Sequence, residues 1–266
     1  MLKKISSYSV LIITSLVSII PFLWIIIAST NKSVDVTAGK LTLGSHFMEN
    51  FNYLLENTMI VDAFKNSLII AVVTTILALI FASSAGYAFV MYKDKIKERI
   101  FNILLLSMMI PFMATLIPLY KLFGQAQLLN TYSAIIIPAI STAFLIFFFK
   151  QNAIAFPKEL LEAGRIDGVS EYGLFFKIFV PTMKSTYAAA AIIIFMSSWN
   201  NYLWPLVALQ DNAKKTLPLI ISNLNSSYSP DYGVIMLAVL ISIIPTGIVF
   251  FTMQKSFVQG ILGSVK

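Results

Sequence analysis

The sequence predicts an all-α, polytopic membrane protein with six transmembrane helices. Hydrophobic residues make up 58% of the 266 positions and charged residues 12%, against about 45–50% and about 25% in soluble domains. Mean hydropathy is +0.83. Six stretches, residues 8–28, 67–91, 101–123, 133–149, 187–209 and 234–254, approach or exceed the roughly 20 apolar residues that cross a bilayer. A chain this apolar cannot cover a water-facing surface with polar groups, so lipid is its solvent.

The first stretch follows Lys3 and Lys4 and resembles a signal peptide in that respect. Its apolar run exceeds the usual 7–15 residues, and Pro21 and Trp24 sit inside it, so an uncleaved span is expected. The second stretch ends before the charged turn 93–100. The third contains Lys121, while the other five contain no Asp, Glu, Lys or Arg. The fourth is short and is followed at once by Lys150. A long loop, 150–186, precedes the fifth, and a polar loop, 210–233, precedes the sixth.

Basic residues orient these elements. With the N-terminus inside, the inner side holds Lys3, Lys4, Lys93, Lys95, Lys97, Arg99, Lys150, Lys158, Arg165, Lys177, Lys184, Lys255 and Lys266. The outer side holds Lys32, Lys40, Lys65, Lys121, Lys214 and Lys215. Thirteen against six places both termini and the 150–186 loop in the cytoplasm. The net charge of +7 then reflects inner loops held against an anionic leaflet, with the lipid bilayer and not nucleic acid as the partner.

Catalytic chemistry is sparse. Catalysis needs clustered ionisable or nucleophilic groups, and this chain has one histidine, His46, and no cysteine. Gly39-Lys40 resembles the end of a phosphate-binding loop, but that motif requires glycine where Val34 stands. No metal site is expected. Carriers that run on ion gradients commonly bind the ion with carboxylates inside the membrane, and these spans have none. Transport, if it occurs, draws its energy from another polypeptide.

The inner loop is the most informative segment. Pro157 is placed to open a helix at its first turn, and residues 158–166 are mostly good helix formers. Asp167-Gly168 makes a turn, and Ser170 caps a second helix that Pro181 should end after Val180. The result is a knob of two short helices. Its residues alone leave two roles open, docking to another protein or resting on lipid headgroups.

The segment Glu162-Ala163-Gly164, followed by Gly168, Ile178 and Pro181, resembles the EAA loop of binding-protein-dependent ABC importers. Gly164 stands where that pattern has alanine, which softens the helix by about 1 kcal/mol. Ile166-Asp167-Gly168 is similar to the sugar importers in particular. Further similarity lies in Asn66-Ser67, Gly86-Tyr87-Ala88-Phe89, Ile110-Pro111, Ile117-Pro118-Leu119-Tyr120, Trp199-Asn200, Pro205-Leu206, Thr216-Leu217-Pro218 and the 254–266 tail. In order and spacing these resemble the smaller, MalG-like permease of maltose-type carbohydrate importers.

That resemblance implies one domain over residues 1–266, a type I ABC importer permease of the bacterial cell membrane. It implies three protein partners: a second homologous, MalF-like permease, a homodimeric ATPase and an extracytoplasmic sugar-binding protein. ATP and Mg would be bound by the ATPase, with no cofactor in this chain. Glu159, Glu162, Ala163, Gly164, Arg165, Asp167 and Gly168 would form the coupling helix. Within it, Glu162 makes polar contact with the ATPase, Ala163 and Gly164 allow its close approach, and Asp167-Gly168 forms the turn. Gly260, Gly263 and Lys266 would reach the ATPase as well. Asn223, Asn225, Ser226 and Tyr228 would face the binding protein, and Trp199, Asn200, Tyr202 and Trp204 would line the sugar path. An ABC permease for amino acids or peptides is the nearest alternative, and a self-contained secondary carrier a more distant one.

Overall fold

The computed structural model describes residues 2–262, with side chains described for 7–255. Every regular element among them is helical. In chain order these are α1 (Leu2–Ser29), α2 (Ser33–Thr37), α3 (Phe47–Asn57), α4 (Ile60–Met91), α5 (Lys95–Ser107), α6 (Phe112–Gln125), α7 (Tyr132–Ala139) and α8 (Ala143–Ile154). The inner loop contributes α9 (Glu159–Ile166), α10 (Glu171–Gly173), a π-helical stretch Leu174–Phe179 and α11 (Val180–Thr182). Then follow α12 (Lys184–Trp199), α13 (Leu203–Ala208), α14 (Leu217–Asn225) and α15 (Tyr232–Leu262).

Among the described residues, four segments are long and apolar enough to cross a membrane: Ser7–Ser29, Ile60–Met91, Tyr132–Ile154 and Tyr232–Lys255. Two bent helix pairs raise the number to six if each counts as one span. Here the structure corrects the expected elements. The third span breaks at 108–111, where α5 and α6 meet at 105°. Pro111 has no N–H to continue the helix and disfavours helical geometry at Ile110. The fourth divides at 140–142 between α7 and α8. The fifth ends its helix at Trp199, where the Asn200 side-chain amide donates to the Met196 carbonyl at 2.9 Å and competes with the backbone.

The chain packs as two compact units, divided within α4, within α15 and between Lys215 and Thr216. One unit joins the chain up to Phe64 with Thr216–Pro245. A knot of buried amides holds it. Asn31 Nδ2 donates to the carbonyls of Ile27 and Thr42, both at 2.8 Å. Asn50 Nδ2 donates to those of Ser29 at 2.9 Å and Asn31 at 3.1 Å. At Ile27 and Ser29 these bonds supply donors to carbonyls in the last turn of α1, where the intrahelical ladder runs out. Asp231 caps α15 by accepting from the Gly233 and Val234 amides. The outward side chains of α1, such as Leu16 and Ile20, are more than half exposed, as a lipid-facing helix requires.

The other unit contains Lys65–Lys215 and the chain from Thr246. Small residues of α4, including Ala71, Ala78, Ala82 and Ser83, are fully buried. A Cβ on Gly86 would stand 2.6 Å from Phe149 Cβ, so α4 and α8 touch backbone to backbone there. At one end of the unit, Asn66 Nδ2 donates to the carbonyls of Ala213 at 2.8 Å and Lys215 at 3.0 Å. Tyr132 donates its hydroxyl to Asn66 Oδ1 at 2.6 Å. At the opposite end of α4, Tyr87 and Val90 share a core with Phe156, Leu161 and Leu174. The 124–132 and 210–215 turns therefore lie at one end, and the 150–186 loop at the other.

Candidate functional site

The inner loop folds into a knob whose geometry follows from its sequence. α9 starts at Glu159, two residues later than Pro157 would allow. The Pro157 and Lys158 carbonyls accept from Leu160 and Leu161 at 3.3 and 2.9 Å. At its far end Val169 N donates to Gly164 O at 2.9 Å and Gly168 N to Arg165 O at 3.0 Å. This is the Schellman pattern. It requires a left-handed residue at 168, where glycine has φ +77°.

The Ser170 hydroxyl then accepts from Gly173 N at 3.3 Å and caps the return helix. That helix does not stop after Val180 but runs to Thr182 and bends by 81° into α12. The π-helical turns before Pro181 are wider than α turns and accommodate the ring. The bend falls at Met183, which is buried.

Packing decides which side of α9 is available. Leu161 is buried, and a Cβ on Gly164 would lie 2.7 Å from both Ile178 Cδ1 and Leu174 Cδ2. Gly164 therefore permits close approach by this chain's own return helix, not by a partner on the outer face. Glu159, Leu160, Glu162, Ala163, Arg165, Ile166, Asp167 and Gly168 are exposed. Ile166 at 87% and Tyr172 at 82% exposure stand out among the exposed large hydrophobic side chains. Composition gave no separate signal for either.

An ion pair within the knob and a hydrogen bond from the end of α4 brace it. Arg165 donates to both oxygens of Glu171, from Nε at 2.8 Å and from Nη2 at 3.3 Å. Tyr92, just beyond α4, donates its hydroxyl to the same carboxylate. Arg165 and then Tyr92 hold the Glu171 carboxyl below its ordinary range, and Glu171 holds Arg165 above its own. Burial, then the bond to Glu171, raises Tyr92, which therefore stays a neutral donor. Beneath this brace Tyr87 meets Phe175 and Phe179 edge-on, with centroids 5.3 and 4.9 Å apart. Such pairs add about 0.5–1.5 kcal/mol each beyond burial. The sequence placed Arg165 in the knob but gave no sign of its partners Glu171 and Tyr92.

The remaining predicted residues separate. Trp199 and Trp204 are each only 2% exposed and belong to the packed interior. Trp204 Nε1 donates to the Ala134 carbonyl at 2.8 Å, and Trp199 stacks on Phe195. Asn200 and Tyr202 are exposed. A cavity of about 100 Å³ is lined by Thr74, Thr142, Ser197, Ser198 and Asn201 together with apolar residues including Phe144, Leu145 and Ile194. Among the described residues, the buried Thr74 hydroxyl has no partner. Isolated Ser and Thr in apolar stretches gave no warning that these five converge.

Asn223 and Asn225 lie at the end of α14, and Ser226 and Tyr228 just beyond it; all four are exposed. Gly260 lies within α15, whereas Gly263 and Lys266 fall outside the described residues. Among the described residues, no group of three His, Cys, Asp or Glu side chains could hold a metal.

The described residues thus combine helices of membrane-spanning length with a braced knob. The chain belongs to the family of binding-protein-dependent transport system inner membrane components, whose model matches residues 78–263. It is 48% identical to the lactose transport system permease protein LacG of Rhizobium radiobacter, over 100% of this chain and 97% of that one. It is 39% identical to the arabinooligosaccharides transport system permease protein AraQ of Halalkalibacterium halodurans, over 94% and 92%. Among solved structures, a chain of a bacterial ABC transporter involved in the import of the acidic polysaccharide alginate superposes with a TM-score of 0.85. The identity is 22%, with 96% of each chain covered, and the shared feature is the fold. The chain is thus a multi-pass, non-catalytic membrane component of an ABC importer, a class that works with a second permease, an ATPase and a binding protein.

Proposed function

We propose that this chain is the permease subunit of an importer for neutral di- or oligosaccharides. It forms one permease domain of six spans, with both termini and the knob in the cytoplasm. It encloses half of the sugar path and is moved by a homodimeric ATPase through α9. The observation that carries this reading is the split character of α9. One face is locked onto the return helix by Leu161 and Gly164, and the other presents Glu162, Ala163, Ile166 and Asp167 to a partner. The brace through Glu171 and Tyr92 passes any displacement of α9 to α4. This is rigid-body gating.

The cargo class rests on the relatives named for lactose and arabinooligosaccharides. It rests also on the cavity where Thr74, Thr142, Ser197, Ser198 and Asn201 stand among apolar residues such as Phe144 and Leu145 with no charged group, a mixed lining that suits the hydroxyls and the apolar face of a sugar ring. The sequence-matched Asn223, Asn225, Ser226 and Tyr228 are the contacts proposed for the binding protein.

The test is Ala163→Arg in the complete importer reconstituted with its binding protein. Ala163 is exposed and arginine is a good helix former, so the knob should remain folded. Uptake should fall at least tenfold, with the binding protein's sugar affinity unchanged. Normal uptake would contradict docking through this face.

A further inference from the structure

At the knob end of the Lys65–Lys215 unit lies a pocket of about 290 Å³, lined by Phe89, Val90, Lys93, Glu98, Lys150, Ile154 and Lys158. Its three lysines come from three different elements. Lys93 lies in the turn after α4, Lys150 on α8, and Lys158 directly before α9. Among the described residues, none of the three has a carboxylate within ion-pair distance. Lys150 Nζ instead sits 3.3 Å from the centroid of the Phe101 ring. Glu98 supplies the pocket's one negative charge, so the three ammonium groups are not neutralised.

The other lining is apolar. Phe89 and Val90 belong to the last turns of α4, and Ile154 ends α8. Cationic groups beside the apolar ends of two spanning helices match a molecule with an anionic head and a hydrocarbon tail. We infer that this pocket is a binding site for the phosphate headgroup of an anionic phospholipid. Lys93, Lys150 and Lys158 hold the phosphate, and Phe89, Val90 and Ile154 meet the start of the acyl chains. Basic pockets between helices at the cytoplasmic surface commonly serve anionic headgroups. Free phosphate offers the same charge without the tail, and the apolar wall favours the lipid. Val90 also belongs to the core that seats Leu161 and Leu174, so the lipid would rest against the base of the knob.

The test is native mass spectrometry of the intact importer in neutral detergent, titrated with phosphatidylglycerol, phosphatidylcholine or inorganic phosphate. Phosphatidylglycerol should be retained at least tenfold more tightly than phosphatidylcholine. Each lysine should contribute on the order of fivefold, and Lys93→Gln/Lys150→Gln/Lys158→Gln together about a hundredfold. Lys93→Gln/Lys158→Gln, which leaves the Lys150–Phe101 contact intact, should lose about twenty-five-fold and covers the case in which the triple variant fails to assemble. The charge-matched Lys95→Gln/Arg99→Gln/Lys184→Gln should lose less than threefold. Equal retention of the two lipids, equal loss in the charge-matched variant, or binding of inorganic phosphate without lipid preference would each overturn the site.

Discussion

Replacing Gly164 with leucine tests whether the knob is built as described. A Cβ added at this position would lie 2.7 Å from two carbons, one of them on Leu174, which is completely buried. Gly164→Ala would recover about 1 kcal/mol of helix propensity against about 1–3 kcal/mol of overpacking. The net loss is then about 0–2 kcal/mol. Leucine adds three more carbons to the same gap and should cost about 3 kcal/mol, or roughly a hundredfold in the opening equilibrium of α9. Hydrogen exchange of peptides covering 156–183, measured on the importer in nanodiscs, reads this directly. Ala163→Leu, one residue away on the exposed face, should change exchange less than threefold yet still impair coupling. If Gly164→Leu left exchange untouched while abolishing uptake, the glycine would face the partner and the packing argument would fail.

Three further outcomes follow from the same contacts. Glu171 has a folded value held below its ordinary 4.5, so its contribution is full above that range and is lost as pH falls through the lower value. Exchange protection of 156–183 should be flat from pH 7 to 5, decline in stronger acid, and lose that dependence in Glu171→Gln. Gly168→Val forces a β-branched residue to φ +77° and should destabilise the knob by about 1–2 kcal/mol, seen as faster proteolysis at 159–170. Trp204→Phe removes the bond to Ala134 and should lower stability by about 1–2 kcal/mol without changing KM for sugar, whereas Thr74→Val and Ser198→Ala should raise KM.

Much of this architecture is legible from sequence because lipid makes a simple demand. Apolar runs of bilayer length announce themselves, and the Asp167-Gly168 turn and the Ser170 cap depend on local chemistry. Facing directions are harder to read. A spanning helix is apolar on all sides, so nothing in the composition of 187–209 distinguishes the buried Trp199 and Trp204 from a lining residue. The same holds for Gly164: a small residue in a helix signals close approach but not by whom, and only the positions of Leu174 and Ile178 decide it. The bends at Met108–Ile110 and Met183 escaped because one proline precedes its helix and the other is absorbed by a π-helical turn. The Arg165–Glu171–Tyr92 brace joins residues up to 79 positions apart, a separation that no local pattern encodes.

In the proposed mechanism the knob faces the cytoplasm and is covered there by a partner. The chain contains no cysteine, so Tyr172→Cys introduces one thiol at a fully accessible position. Labelling with a membrane-impermeant maleimide should occur in inverted vesicles and not in intact cells, and should fall when the ATPase subunits are bound. Labelling from outside intact cells would contradict the account.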